Sequence, residues 1–175
     1  MKTNVRNALA GFVLLALCFG GQLRAEAKAK QVAKIKASAV EVKMISAGEL
    51  AVPPEFQVAL YENLIEQLRK KEVFQRVYRD GDQTARNSEN LVTLQCGVVK
   101  FKKGNETMRE VTTIAGATSM TVRCEFRNKA GDLLLSRDIS GKVRFFGGNL
   151  KATSDFAKKA ATVADENFSS AAAGS

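Results

Sequence analysis

Few side chains in this sequence could do chemistry. The chain has no histidine and three cysteines, with 27 Lys and Arg against 18 Asp and Glu. Lack of histidine removes the commonest general base and the commonest metal ligand. Cys96 and Cys124, the two cysteines beyond the N-terminal segment, are too few for a tetrahedral zinc site without other good ligands. Asp80 and Asp82 could form a carboxylate pair, but a turn at Asp80-Gly81-Asp82 employs aspartate for its own local hydrogen bonds. Gly147-Gly148-Asn149 precedes a predicted helix, where backbone N–H groups can cradle a phosphate. The segment lacks the spaced glycines and Lys-Ser/Thr of a phosphate-binding loop, and a strand-to-helix turn with an asparagine cap accounts for the same residues. The expectation is therefore no catalytic constellation, no metal and no cofactor.

Two further groups could bind rather than react. Lys100, Lys102, Lys103, Arg123 and Arg127, with Arg109 and Lys129, could gather as a basic face on neighbouring strands. Nucleic-acid-binding sheets interleave such charges with exposed aromatic rings. Here Phe126 points inward by alternation and only Phe101 could serve, so no nucleic acid is expected and an ordinary solvated face explains the charges as well. The link from Gly104 through Arg109 to Gly116 is long for a compact domain. Such links are often functional. It reads either as a partner-binding loop or as a strand extension with a bulge near Gly116.

The N-terminus sets the compartment. Lys2 and Arg6 precede an apolar run from Ala8 to Phe19, and small residues follow. That order is a secretory signal peptide, cut after Ala25 or else Ala27. The run is too short to span a bilayer, which needs about 20 apolar residues, and no later stretch is a candidate. Cys18 would be the acylated residue of a lipoprotein, but Leu17 stands where a small side chain is required. Cys18 reads better as a small hydrophobe within the run. The leader holds Lys2, Arg6 and Arg24, so its loss lowers the formal charge of +9 to +6. A basic chain suits anionic envelope material as a partner, or simply solubility.

The elements that must position these groups follow from periodicity. After a charged lead-in at 26–33, Lys34 to Ile45 alternates as a strand, with Val40, Val42 and Met44 on one face. In PPEFQVALYENLIEQLRKKEVFQ, Phe56, Leu60, Leu64 and Leu68 step by four, and Tyr61 and Ile65 widen the stripe. This is an amphipathic helix, with proline in its first turn and basic residues at its end. Val73 to Tyr78 is a further strand. In LVTLQCGVVKF, Val92, Leu94, Cys96 and Val98 share a face. In SMTVRCEF, Met120, Val122, Cys124 and Phe126 do the same. LLLSRDISGKVRFF follows as one strand or a pair split near Gly141. The last element, NLKATSDFAKKAATVADENF, is a helix with an alanine-rich stripe, followed by a small polar tail at 169–175. The sum is an α+β fold: a mostly antiparallel sheet of about five strands, with both helices on one face, in a single domain over 34–168.

Cys96 and Cys124 lie on the apolar faces of two alternating strands. If the Gly104–Gly116 link closes a hairpin, its register decides whether they stand opposite or apart. A disulfide and a pair of buried free thiols both remain open on the sequence alone.

The run FKKGN, then Arg109, AGATSMTVRCEF and NKAGDLLLSRD resembles a bacterial family of extracytoplasmic proteins, domain-of-unknown-function family 4410. Asn128 departs from the aspartate usual at that turn. The resemblance implies an envelope or secreted location, often as a lipoprotein, and it brings no assigned activity. A non-enzymatic envelope module that binds a protein partner is the leading expectation. A binder of anionic envelope polymer or lipid through a basic surface comes second, and a carboxylate hydrolase last.

Overall fold

The structure is a computed structural model, and it describes residues 33–105, 107–108, 116–143 and 148–170. The signal-peptide reading with Cys18, most of the lead-in, Arg109, Gly147 and residues 171–175 lie outside the described residues.

The first strand segment divides at Ser38. β1 (Ile35–Lys36) pairs in parallel with β7 (Phe168–Ser169), closing a small two-stranded sheet. Ser169, expected in the polar tail, is thus paired backbone. β2 (Ala39–Val42) enters the main sheet. The helix α1 (Pro54–Lys71) buries Phe56, Leu60, Tyr61, Leu64, Ile65 and Leu68, the predicted stripe. Glu55 lies in its first turn and Arg69, Lys70 and Lys71 in its last, which suits the helix dipole.

β3 (Arg76–Arg79) returns parallel to β2. The strand–helix–strand order makes this a crossover unit, because parallel neighbours cannot be joined by a tight turn. β4 (Leu91–Lys102) lies on the other side of β2, again parallel. β5 (Thr118–Arg127) and β6 (Leu133–Val143) then add in antiparallel fashion, giving the order β3-β2-β4-β5-β6. The fold is α+β, with a main sheet of five strands and two α-helices among the described residues. The sheet is mixed, with two parallel and two antiparallel pairings, where the sequence pattern predicts a mostly antiparallel one.

The second helix, α2 (Lys151–Asn167), packs with α1 over one sheet face. Its buried stripe includes Ala152, Ala157, Ala160, Ala161 and Ala164, which lets the backbone approach closely. β6 meets that approach with a glycine. A Cβ built on Gly141 would lie 2.2 Å from the Ala152 carbonyl oxygen and 2.8 Å from the Phe156 Cβ. Gly141 therefore does not split the strand; it seats the helix on it. Rings complete the core, with Phe168 packing 4.9 Å from Phe126 and 5.6 Å from Phe74 between centroids. On the opposite face a small apolar cluster, Ala39, Tyr78, Ala85 and Leu91, covers only the β3–β2 end.

Candidate functional site on the open sheet face and its edge

Among the described residues most of the second face of the sheet carries no helix, and two local irregularities shape it. Past Val42 the chain leaves strict alternation. Met44 is 54% exposed while Ile45 is 4% exposed, the reverse of the predicted pattern. The Met44 amide donates to the Asp80 carboxylate at 3.0 Å, and Ser46 then bridges to Gly97 of β4. The second irregularity is a bulge in β4. Val98 pairs with Val122, but Lys100 pairs with Thr121, so Val99 is the extra residue. Beyond it the faces exchange. Phe101 turns inward to stack edge-on against Phe56, with ring centroids 5.1 Å apart, so it is not an exposed stacking platform.

Between these irregularities lies an open groove of about 460 Å³. Met44, Ser46 and Gly48 form one wall, Gln95, Gly97 and Val99 the floor, and Arg123 and Glu125 the far wall. Its charges are already matched. Arg123 binds Asp138 through two hydrogen bonds of 2.8 and 3.0 Å. Arg127 reaches Glu125 at 2.7 Å, and Lys43 reaches Glu41 at 2.7 Å and Asp80 at 3.0 Å. The Arg123 guanidinium holds the Asp138 carboxyl below its ordinary range. The Glu41 carboxylate is the main group that raises the Lys43 ammonium.

The predicted basic face is thereby divided. Arg123 and Arg127 are neutralised by neighbours, while Lys100, Lys102 and Lys103 are exposed at the end of β4 with no salt bridge among the described residues. Asp80 and Asp82 are turn anchors. Asp80 is held below the ordinary range chiefly by the Met44 amide, and Asp82 by the Thr84 hydroxyl. Among the described residues no group of three or more Cys, Asp or Glu could hold a metal ion.

The ends of the predicted partner loop meet. A Cβ on Gly104 would lie 1.9 Å from the Gly116 carbonyl oxygen, so only glycine fits. The Gly104 amide donates to the Thr118 hydroxyl at 3.1 Å, and that buried hydroxyl donates in turn to the Asn149 side chain. Asn149 thus ties the start of α2 to β5, and Leu150 occupies the N-cap position without a side-chain cap. The asparagine considered from the sequence as a cap is thus not the N-cap, and Gly147 of the same segment lies outside the described residues. Arg109, within this loop, is outside the described residues.

The sheet also presents an edge that sequence reading misses. Leu94 and Cys96 turn their carbonyls toward the β2 segment, to Lys43 and Ser46. In antiparallel pairs, hydrogen-bonded and non-hydrogen-bonded positions alternate. Thr93, Gln95 and Gly97 therefore bond β5, Cys124 and Val122 bond β6, and Ser136, Asp138, Ser140 and Lys142 direct their backbone groups away from the sheet. Two contacts agree. The Ser140 carbonyl accepts from Lys159 at 3.0 Å, and the Lys142 amide donates to Asp155 at 2.9 Å. α2 so covers the far half of the β6 edge. The near half, at Ser136 and Asp138, has no neighbouring strand among the described residues. It follows Leu133, which is 51% exposed.

An α+β module with a mixed five-stranded sheet, two helices on one face and most of the other face open among the described residues, is the class that this geometry defines. The chain belongs to the family of the domain of unknown function DUF4410, whose model matches residues 23–173. No curated protein matches it. Among solved structures it is similar to a single-substitution variant of the PelC dodecamer from Paraburkholderia phytofirmans, at 15% identity and a TM-score of 0.56, covering 77% of this chain and 93% of that one. A second PelC dodecamer from the same organism matches at 13% identity and a TM-score of 0.55, covering 75% and 89%. These likenesses establish the fold. No helix among the described residues is long and apolar enough to cross a membrane.

Proposed function

We propose that this chain is a non-enzymatic, exported module of the cell envelope that works by binding protein, and that the partner is a second copy of itself joined at the outer edge of β6. The stretch of β6 at Ser136 and Asp138 carries this reading: no strand pairs with it among the described residues, and the Ser136 carbonyl is met only by the Arg137 side chain, at 2.9 Å. An unpaired strand edge is a template for another strand, and it selects polypeptide over any other polymer because main-chain groups do the pairing. The signal-peptide pattern and the family support export. The fold shared with PelC, a chain solved as a dodecamer, makes self-assembly the first form of protein binding to test.

The test is solution mass by light scattering over a range of concentrations. Wild-type protein is expected as a dimer or larger. Ser136→Pro removes an amide that points away from β5, so the sheet stays intact while strand addition is blocked; it should yield a monomer with an unchanged circular-dichroism spectrum. A wild-type monomer at all concentrations, or an assembly indifferent to Ser136→Pro, overturns the reading.

A second reading rests on Lys100, Lys102 and Lys103. Their exposed charges, without a salt bridge among the described residues, favour attraction to anionic polymer or lipid. Salt-sensitive co-sedimentation with vesicles containing anionic lipid, lost in the triple alanine variant, would support it. Equal sedimentation of the two proteins would remove it.

A further inference from the structure

Cys96 and Cys124 are direct cross-strand partners in the β4–β5 ladder. The backbone bonding of β4 determines what kind of pair they are. Because the Cys96 carbonyl turns to the Ser46 amide, and the neighbouring Leu94 carbonyl to the Lys43 amide, Cys96 does not bond β5. It faces Cys124 across a non-hydrogen-bonded position. Those positions bring the Cα atoms to about 4.5 Å and the side chains closer than the alternating hydrogen-bonded pairs. That spacing falls within the Cα range a disulfide requires, about 4.4–6.8 Å. Both side chains point into the core, and Cys96 is 5% and Cys124 0% exposed. Their Sγ atoms are 2.7 Å apart, against about 2.05 Å in a disulfide. A small rotation about each Cα–Cβ bond closes that distance without moving either strand.

We infer that Cys96 and Cys124 form an intramolecular disulfide in the mature protein, one that links β4 to β5 at the middle of the sheet. In the reaction the two thiols lose two protons and two electrons and one S–S bond forms. The oxidant is a protein disulfide of the oxidoreductase class, met on export; its own S–S bond breaks and it leaves as a dithiol. Both sulfurs are enclosed once the helices dock, so the exchange precedes docking. Burial also pushes the Cys96 thiol well above its ordinary range, so folded Cys96 is a poor attacker, and the bond is made on the incompletely folded chain. The Cys96 backbone contributes to the groove, and the cross-link would hold that floor flat.

The experiment is peptide mapping of full-length protein recovered from its native host, alkylated before cell lysis and digested without reductant. The expected result is a linked pair of peptides containing Cys96 and Cys124, with neither cysteine alkylated, and both becoming alkylatable after reduction. Mapping by peptide keeps any Cys18 signal separate. Recovery of Cys96 and Cys124 in alkylated form before reduction overturns the inference, as does either cysteine found linked to another chain. The outcome is independent of whether the β6 edge joins two copies.

Discussion

At the residue scale, the positions that matter most are those where no other side chain fits. Gly141 faces α2 at a distance that leaves no room for a Cβ. Gly141→Ala should force the helix outward or bend β6. Overpacking of this kind costs about 1–3 kcal/mol, and a domain of this size loses roughly 2–4 °C of Tm per kcal/mol. A melt indistinguishable from wild type would show that α2 does not sit where described. Charged residues give a second expectation. Asp80, Asp82, Asp138 and Glu62 are all held below their ordinary values, by the Met44 amide, the Thr84 hydroxyl, Arg123 and Arg79 respectively. Between the lowered folded values and the ordinary unfolded ones, near about 4, the unfolded chain binds more protons. These contacts therefore contribute in full above about pH 5, and their contribution is lost as pH falls through the folded values. Urea midpoints measured from about pH 6 down to about pH 2 should fall most steeply below about pH 4, and a midpoint flat across that range would contradict this.

At the element scale, α1 is held by one face. Leu64 is completely buried at the middle of its stripe, so Leu64→Asp must bury an unpaired charge or release the helix. Loss of the cooperative thermal transition is expected; a wild-type melt would overturn the packing of α1. That stripe is legible in the sequence because a four-residue step of large apolar side chains has few other readings. The alternation of β4 and β5 is equally plain, down to the inward faces of Cys96 and Cys124. What escapes are features set by partners rather than by pattern. Met44 continues an alternation on paper, yet Asp80 captures its amide and the chain slips by one. Nothing in GVVKF marks Val99 as a bulge, so alternation alone assigns Phe101 to the wrong face. Gly141 resembles a strand breaker until the alanines of α2 are placed against it. The parallel pairing is available from the strand–helix–strand order around α1, but the clean alternation of the later strands masks it.

At the scale of the whole molecule, among the described residues helices cover one face of the sheet and leave most of the other open, and its two edges are treated differently. β3 is short, and Arg79 turns from it to bind Glu62 of α1 at 2.6 and 2.7 Å. β6 is long; among the described residues α2 side chains occupy its far backbone groups, and on its near half the Arg137 side chain reaches the Ser136 carbonyl. Natural sheets usually guard a long edge, so a half-guarded one is the molecule's most evident binding feature. The groove is the obvious rival, but its ion pairs are internally satisfied and leave it little with which to attract a ligand. Amide hydrogen exchange tests the central claim most directly, because it reads single backbone groups. If two copies join along β6, the amides of Ser136 and Asp138 should become protected as protein concentration rises, while those of Arg137 and Ile139, bonded to β5, stay protected throughout. Exchange of Ser136 and Asp138 at the rate of open amides, at every concentration up to the highest attainable, would contradict the account.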